Sequence, residues 1–228
     1  MTNKKTFRPE SSRIFLDTAL AQALSKLPFQ GEVKALNVGC GVEGRYHNLL
    51  ADFTVEGVDI ADPMGRTMPW HYHQCDASHL PFGDATFDLA VAIESFEHID
   101  DNTAAMQEVS RTLKPGGWLV VTTPTRWTWI FEFGRHGPHY YDRKSLETLI
   151  TRAGLEIQNF CACGGALFWL TNLIKSWLSP VGIRLLGKRW WPTIDAILSP
   201  LFHVSSLTDR ILPFPATNWL VVAKKPEA

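Results

Sequence analysis

Apolar positions along this chain follow two rhythms. Ile14, Leu16, Ala19, Leu20, Ala23, Leu24 and Leu27 recur at helical spacing, so residues 11–27 read as an amphipathic helix that Pro28 and Gly31 end. Beyond it, short apolar runs alternate with helix-like stretches. The runs predict strands over 33–38, 54–58, 71–75, 87–93, 118–123, 155–161 and 219–223. Helices are expected over 45–51, 102–113 and 143–153. Lys114-Pro115-Gly116-Gly117 should stop the second of these, because proline cannot continue the hydrogen-bond ladder. Asp142 stands where the N-cap of the third belongs.

Strands separated by helices imply an α/β fold, a doubly wound, mostly parallel sheet with helices on both faces. Such sheets bind ligands outside the carboxyl ends of their strands. Asn37 and Gly39, Asp59, Asp76 and Glu94 all fall at those ends, so they should converge on one crevice.

Composition narrows the picture little. The 228 residues suit one large α/β domain, and a formal charge of -1 does not favour nucleic acid as a partner. The four cysteines, Cys40, Cys75, Cys161 and Cys163, lack zinc-site spacing. The basic N-terminus runs into polar residues without a signal-peptide pattern, so the expectation is reduced thiols in the cytoplasm. Aromatic residues change the picture more. Trp169, Trp177, Trp190 and Trp191 fall within residues 164–213, where Lys175, Arg184, Lys188, Arg189 and Arg210 face only Asp195 and Asp209.

The first strand stops at Gly39-Cys40-Gly41-Val42-Glu43-Gly44, a loop whose glycines let a ligand approach the backbone. Literally this satisfies the dinucleotide fingerprint, with Asp59 at the ribose-binding position, so a nicotinamide-dependent oxidoreductase is one reading. A second acid points elsewhere: Asp59 can take both hydroxyls of one ribose, and Asp76 can meet the exocyclic amine of an adenine.

On these residues the chain resembles the class I S-adenosylmethionine-dependent methyltransferases with a GCG loop. The resemblance rests on five ordered motifs: Leu36-Asn37-Val38-Gly39-Cys40-Gly41, Gly57-Val58-Asp59, Cys75 to Phe82 with Phe87-Asp88-Leu89, Phe96-Glu97-His98-Ile99, and Leu113 to Gly117. It implies a Rossmann-like seven-stranded sheet with an antiparallel last strand. It also implies a single methyltransferase domain over 1–228, with an N-terminal helix in 1–30, a cofactor core over 33–161, a helical insert over 164–213 and the last strand within 217–225. Asn37, Gly39, Cys40 and Gly41 would then lie under the methionine part of S-adenosyl-L-methionine. Asp59 and Ile60 would hold the ribose, Asp76 and Ala77 the adenine, and Glu94 would open the loop over the sulfonium. Two positions depart from the family pattern: Asn37 stands where an acid is usual, and Glu43 where a third glycine is common.

Glu94, Glu97 and His98 are spaced i, i+3, i+4, so a helical turn would point all three to one side. Such a cluster, with His139 as a further ligand, resembles that of the O-methyltransferases that use a metal such as Mg2+. The metal-free alternative has His98, with Glu97, as the catalytic pair and His98 as general base. A third alternative leaves Glu97 and His98 only packing and capping the loop.

Residues 164–213 carry apolar stripes at Leu170, Leu173, Ile174, Trp177, Leu178 and Val181, and at Ile194, Ile197, Leu198 and Leu201. Lys175 and Pro180 interrupt any membrane span. The segment suits helices packed on the sheet or in a homodimer, a lid over an apolar acceptor, or a peripheral membrane contact. The expected function is methyl transfer to a small, apolar or lipid-linked acceptor, with oxygen favoured. The third alternative is a catalytically silent methyltransferase-like subunit that acts by contact.

Overall fold

The computed structural model describes residues 14–128, 130, 139–171, 173–174, 200 and 215–227. Most of the 164–213 segment, and with it most of its two apolar stripes, therefore lies outside the described residues.

The first helix, α1, spans Ile14–Ser25 and buries Leu16, Leu20 and Leu24, one residue per turn along a single face. The strands are β1 Lys34–Val38, β2 Thr54–Asp59, β3 His71–Gln74, β4 Phe87–Ile93, β5 Leu113–Pro124, β6 Glu156–Cys163 and β7 Asn218–Lys224. Two more helices, α2 Asn102–Thr112 and α3 Arg143–Arg152, follow β4 and β5. The sheet order is β3-β2-β1-β4-β5-β7-β6. The pairs among the first five strands are parallel, whereas β7 runs antiparallel to both of its neighbours. This is the expected seven-stranded, mostly parallel sheet. The antiparallel β7 between β5 and β6 separates it from the dinucleotide order, in which six parallel strands run 3-2-1-4-5-6.

Both faces of the sheet are covered, which explains why its central strands are almost continuously apolar. Leu36, Val38, Ala90 and Ala92 pack with Met106 and Val109 of α2 and Leu146 and Ile150 of α3. Ala35, Leu89 and Val91 belong to the opposite core with Leu16 and Leu20 of α1. Both helix starts after the central strands are capped by acids. Asp101 Oδ1 accepts the Ala104 N–H at 2.9 Å, and Asp142 Oδ1 accepts the Ser145 N–H at 2.8 Å. The far end of α2 is closed by Lys225, whose Nζ donates to the carbonyls of Ser110 and Leu113 at 2.7 and 2.8 Å.

Two predicted elements come out differently. Residues 45–52 form consecutive turns instead of a helix. The segment is too short to propagate a ladder, and its closure is local: the N–H groups of Leu49 and Leu50 both reach the Tyr46 carbonyl. Tyr46 and Leu50 are still buried, as an amphipathic pattern requires. β5 begins at Leu113, directly after α2, because Leu113 pairs with Phe87 before the Lys114–Gly117 excursion and Trp118 pairs with Leu89 after it.

Candidate functional site

β1 sits at the centre of the order, with β2 and β3 to one side and β4 onward to the other. The connections leave in opposite directions there, so a crevice opens at the carboxyl ends of β1 and β4. Two adjoining cavities occupy it. One, of about 470 Å³, is lined by Gly39, Asp59, Ile60, Asp76, Ala77, Glu94 and His98, among others. The second, of about 330 Å³, is lined by Asn37, Gly39, Cys40, Gly41, Glu43, Arg45, Tyr46 and Glu94, among others. Gly39 and Glu94 belong to both walls, so all nine expected cofactor residues meet along one crevice.

The glycine loop is tied to β2. The N–H groups of Gly39 and Cys40 donate to the Val58 carbonyl at 2.8 and 3.1 Å, and the Gly41 N–H donates to Asp59 Oδ2 at 2.7 Å. Asp59 Oδ1 takes the Ala61 N–H at 3.0 Å. A carboxylate offers about four lone-pair directions, so two remain for external hydroxyls. At the next strand end, Asp76 Oδ1 accepts both the N–H and the hydroxyl of Ser78, each at 2.8 Å, which leaves Oδ2 for an external donor. The same bonds hold its carboxyl below the usual carboxylate range. Ile60 is largely exposed at the cavity rim, its carbonyl held by the Gln74 amide at 3.2 Å.

These features fit S-adenosylmethionine. Adjacent strand ends present two acids for a ribose and an adenine amine. The glycine loop offers a backbone cradle for the methionine end, since a Cβ on Gly41 would meet open space. The volumes lie within the ~300–1,000 Å³ range of small-ligand sites. Burial, reinforced by Asp59, pushes the Cys40 thiol up to about 12, and burial also raises Cys75.

The expected metal cluster does not assemble. Among the described residues, no group of three or more His, Cys, Asp or Glu side chains is placed to hold a metal ion. The reason is local. Phe96–His98 is a 3₁₀ turn that buries Phe96 and Glu97. Glu94 precedes the turn, at φ +53°. Glu97 is fully buried, its Oε2 accepting the Thr123 hydroxyl at 3.2 Å, while His98 is exposed and lines the larger cavity. His139 lines a different cavity, beside α3, with its ring nitrogen 3.2 Å from the Asp100 carbonyl. Among the described residues, the geometry supports neither a Mg2+ site nor a pairing of Glu97 with His98.

The His98 turn is braced from distant parts of the chain. The His139 N–H donates to the Glu97 carbonyl at 3.3 Å, and the buried Tyr141 hydroxyl donates to the Phe96 carbonyl at 3.2 Å. Asn102 donates to that hydroxyl at 2.8 Å, and Trp219 Nε1 to the Tyr141 carbonyl at 3.0 Å. Glu94 Oε1 likewise accepts the Asn218 amide at 2.9 Å. Sequence reasoning missed Ser95, which lines the larger cavity, and also Asn218 and Tyr141. Asn218 lies 124 residues from its partner, so no local pattern signals it.

A methyltransferase-domain family model matches residues 12–159. An O-methyltransferase of Penicillium expansum is 34% identical over 155 residues, covering 57% of this chain and 54% of that protein. A probable S-adenosylmethionine-dependent methyltransferase of Mycolicibacterium smegmatis is 33% identical over 137 residues, covering 54% and 52%. The chain thus spans about half the length of each. In fold it resembles the crystal structure of a sarcosine dimethylglycine methyltransferase from Galdieria sulphuraria: TM-score 0.65, 17% identity, 93% of this chain and 86% of that one. With its family model, sheet order and strand-end acids in agreement, this chain belongs to the class I S-adenosylmethionine-dependent methyltransferases.

Proposed function

We propose that this protein transfers a methyl group from S-adenosylmethionine to the oxygen of a small, apolar acceptor, with His98 as general base. Bound cofactor supplies a methyl group already activated by its sulfonium. What the chain must then do is align the acceptor and take its proton. Alignment in a closed crevice can be worth roughly 7–11 kcal/mol of barrier. The observation that carries the reading is the exposed His98 ring on the wall that also holds Asp59, Asp76 and Glu94. An imidazole in contact with the acceptor is the side chain suited to accept a hydroxyl proton near neutral pH. The turn beneath it is fixed through Tyr141, His139 and buried Glu97, so the base is held on a rigid element. Oxygen is favoured by the Penicillium relative, an O-methyltransferase, and by the need for a base at all. Apolar chemistry is favoured by the exposed Ile60 at the rim and by the aromatic 164–213 sequence.

The test is methyl transfer from labelled cofactor to lipid and aqueous extracts assayed separately. Label is expected in small lipid-phase products, as methyl ethers. Label confined to amines of the aqueous fraction overturns the oxygen and the apolar assignments together. Activity is expected to survive a chelator unchanged, and its loss in EDTA with recovery on Mg2+ would overturn the metal-free mechanism.

A further inference from the structure

The residues 75–86 between β3 and β4 carry Asp76 and Ala77 into the crevice, yet they contain no helix or strand to hold them there. Their anchor comes from α2. All five N–H donors of the Arg111 guanidinium are engaged. Nε and Nη2 fork onto Glu108 at 2.7 and 2.8 Å, and Nη2 also reaches the Leu80 carbonyl at 3.3 Å. Nη1 donates to the Phe82 carbonyl at 2.9 Å and to Asp84 at 2.7 Å. Glu108 Oε2 accepts the Leu80 N–H at 2.9 Å, so Leu80 is gripped on both its backbone groups. Phe82, two residues on, stacks edge-on against Phe87 of β4 at 4.9 Å.

We propose that Arg111 and Glu108 form a positioning unit that sets cofactor affinity by fixing where the loop presents Asp76 and Ala77. The inference rests on the methyltransferase reading. Neither residue lines the crevice; both act through the loop backbone. The planar fork is essential, because an ammonium has three donors and no bidentate geometry. Without the clamp, the loop must be ordered by the ligand itself, which lowers affinity without touching the methyl-transfer geometry at β4.

The experiment uses the full chain and S-adenosylhomocysteine as the calorimetric probe. Arg111→Lys is expected to weaken binding about tenfold. It should raise the KM for S-adenosylmethionine by a similar factor and leave kcat at saturating cofactor unchanged. Hydrogen exchange at the Leu80 amide should quicken. Arg143→Lys, at the exposed Arg143–Glu147 pair on α3, should change none of these. Should Arg111→Lys fail to fold, Glu108→Gln carries the test, with an expected loss of about threefold. A folded variant that binds within about twofold of the parent overturns the clamp and leaves the methyltransferase reading standing. A parent that does not bind S-adenosylhomocysteine overturns both.

Discussion

Gly39 and Gly41 share a left-handed backbone, φ +66° and +62°, but their surroundings differ. A Cβ on Gly39 would lie 2.3 Å from the Ser95 Cβ, whereas one on Gly41 would touch nothing. Gly41→Ala should therefore cost about 1 kcal/mol of stability for its backbone alone, while weakening cofactor binding by intruding on the cradle. Gly39→Ala adds a core overlap and should cost about 3 kcal/mol. Urea unfolding of each variant checks the ranking, and equal losses would contradict it. Asp59→Asn keeps the shape of the side chain but removes one acceptor, and should weaken S-adenosylhomocysteine by at least about tenfold in calorimetry. His98→Ala should leave that affinity intact and slow turnover roughly 10²–10⁴-fold. Loss of cofactor affinity in the His98 variant would contradict this division of labour. Asp76 has a depressed folded pKa, so its charge contribution is present above the unfolded value near about 4 and is lost only as pH falls through the lower folded one. Cofactor affinity should accordingly show no Asp76 titration between about pH 5 and 7. That the nine expected cofactor residues would gather in one crevice was legible in the sequence, because each lies at or just beyond the carboxyl end of a predicted strand. The burial of Glu97 was not legible, because the i, i+3, i+4 pattern presumes an α-helical turn and the chain forms a 3₁₀ turn with Glu97 on its core side.

At the scale of elements, caps decide where helices begin and strands take over. Asp142→Ala should cost about 1 kcal/mol, since its carboxylate alone meets the Ser145 N–H at the start of α3. Lys225→Met removes an ammonium that closes α2 from the last segment of the chain, and should cost about 1–2 kcal/mol. Chemical denaturation of both variants measures this, and a midpoint unchanged in Lys225→Met would mean that water serves those carbonyls equally well. Strand boundaries were legible within a residue or two, except at the start of β5, because unbroken apolar runs have sharp ends. The turns at 45–52 were not: an apolar spacing of four at Tyr46 and Leu50 satisfies the core whether or not a full helical ladder forms. Lys225 and Asn218 were invisible for a different reason. Their partners lie on elements that adjoin only after the last strand inserts between β5 and β6.

For the whole molecule, the order β3-β2-β1-β4-β5-β7-β6 turns scattered strand-end residues into one wall. A ligand that binds only this assembled wall stabilises the fold by mass action, about 2.7 kcal/mol at a hundredfold excess over its Kd. S-adenosylhomocysteine should thus raise the thermal midpoint measurably, and NAD should not. A larger shift with NAD would restore the oxidoreductase reading that the glycine loop alone permits. The chain's own pattern determined the class of fold, the glycine loop and which acids stand at strand ends, because burial periodicity and backbone conformation are properties of neighbouring residues. Only the tertiary structure decided which of those groups share a cavity. It separated Glu97 and His139 from His98, joined Glu94 to Asn218, and tied Arg111 to the loop that carries Asp76. Those relations depend on register and on the packing of elements far apart in sequence, and no local spacing encodes them.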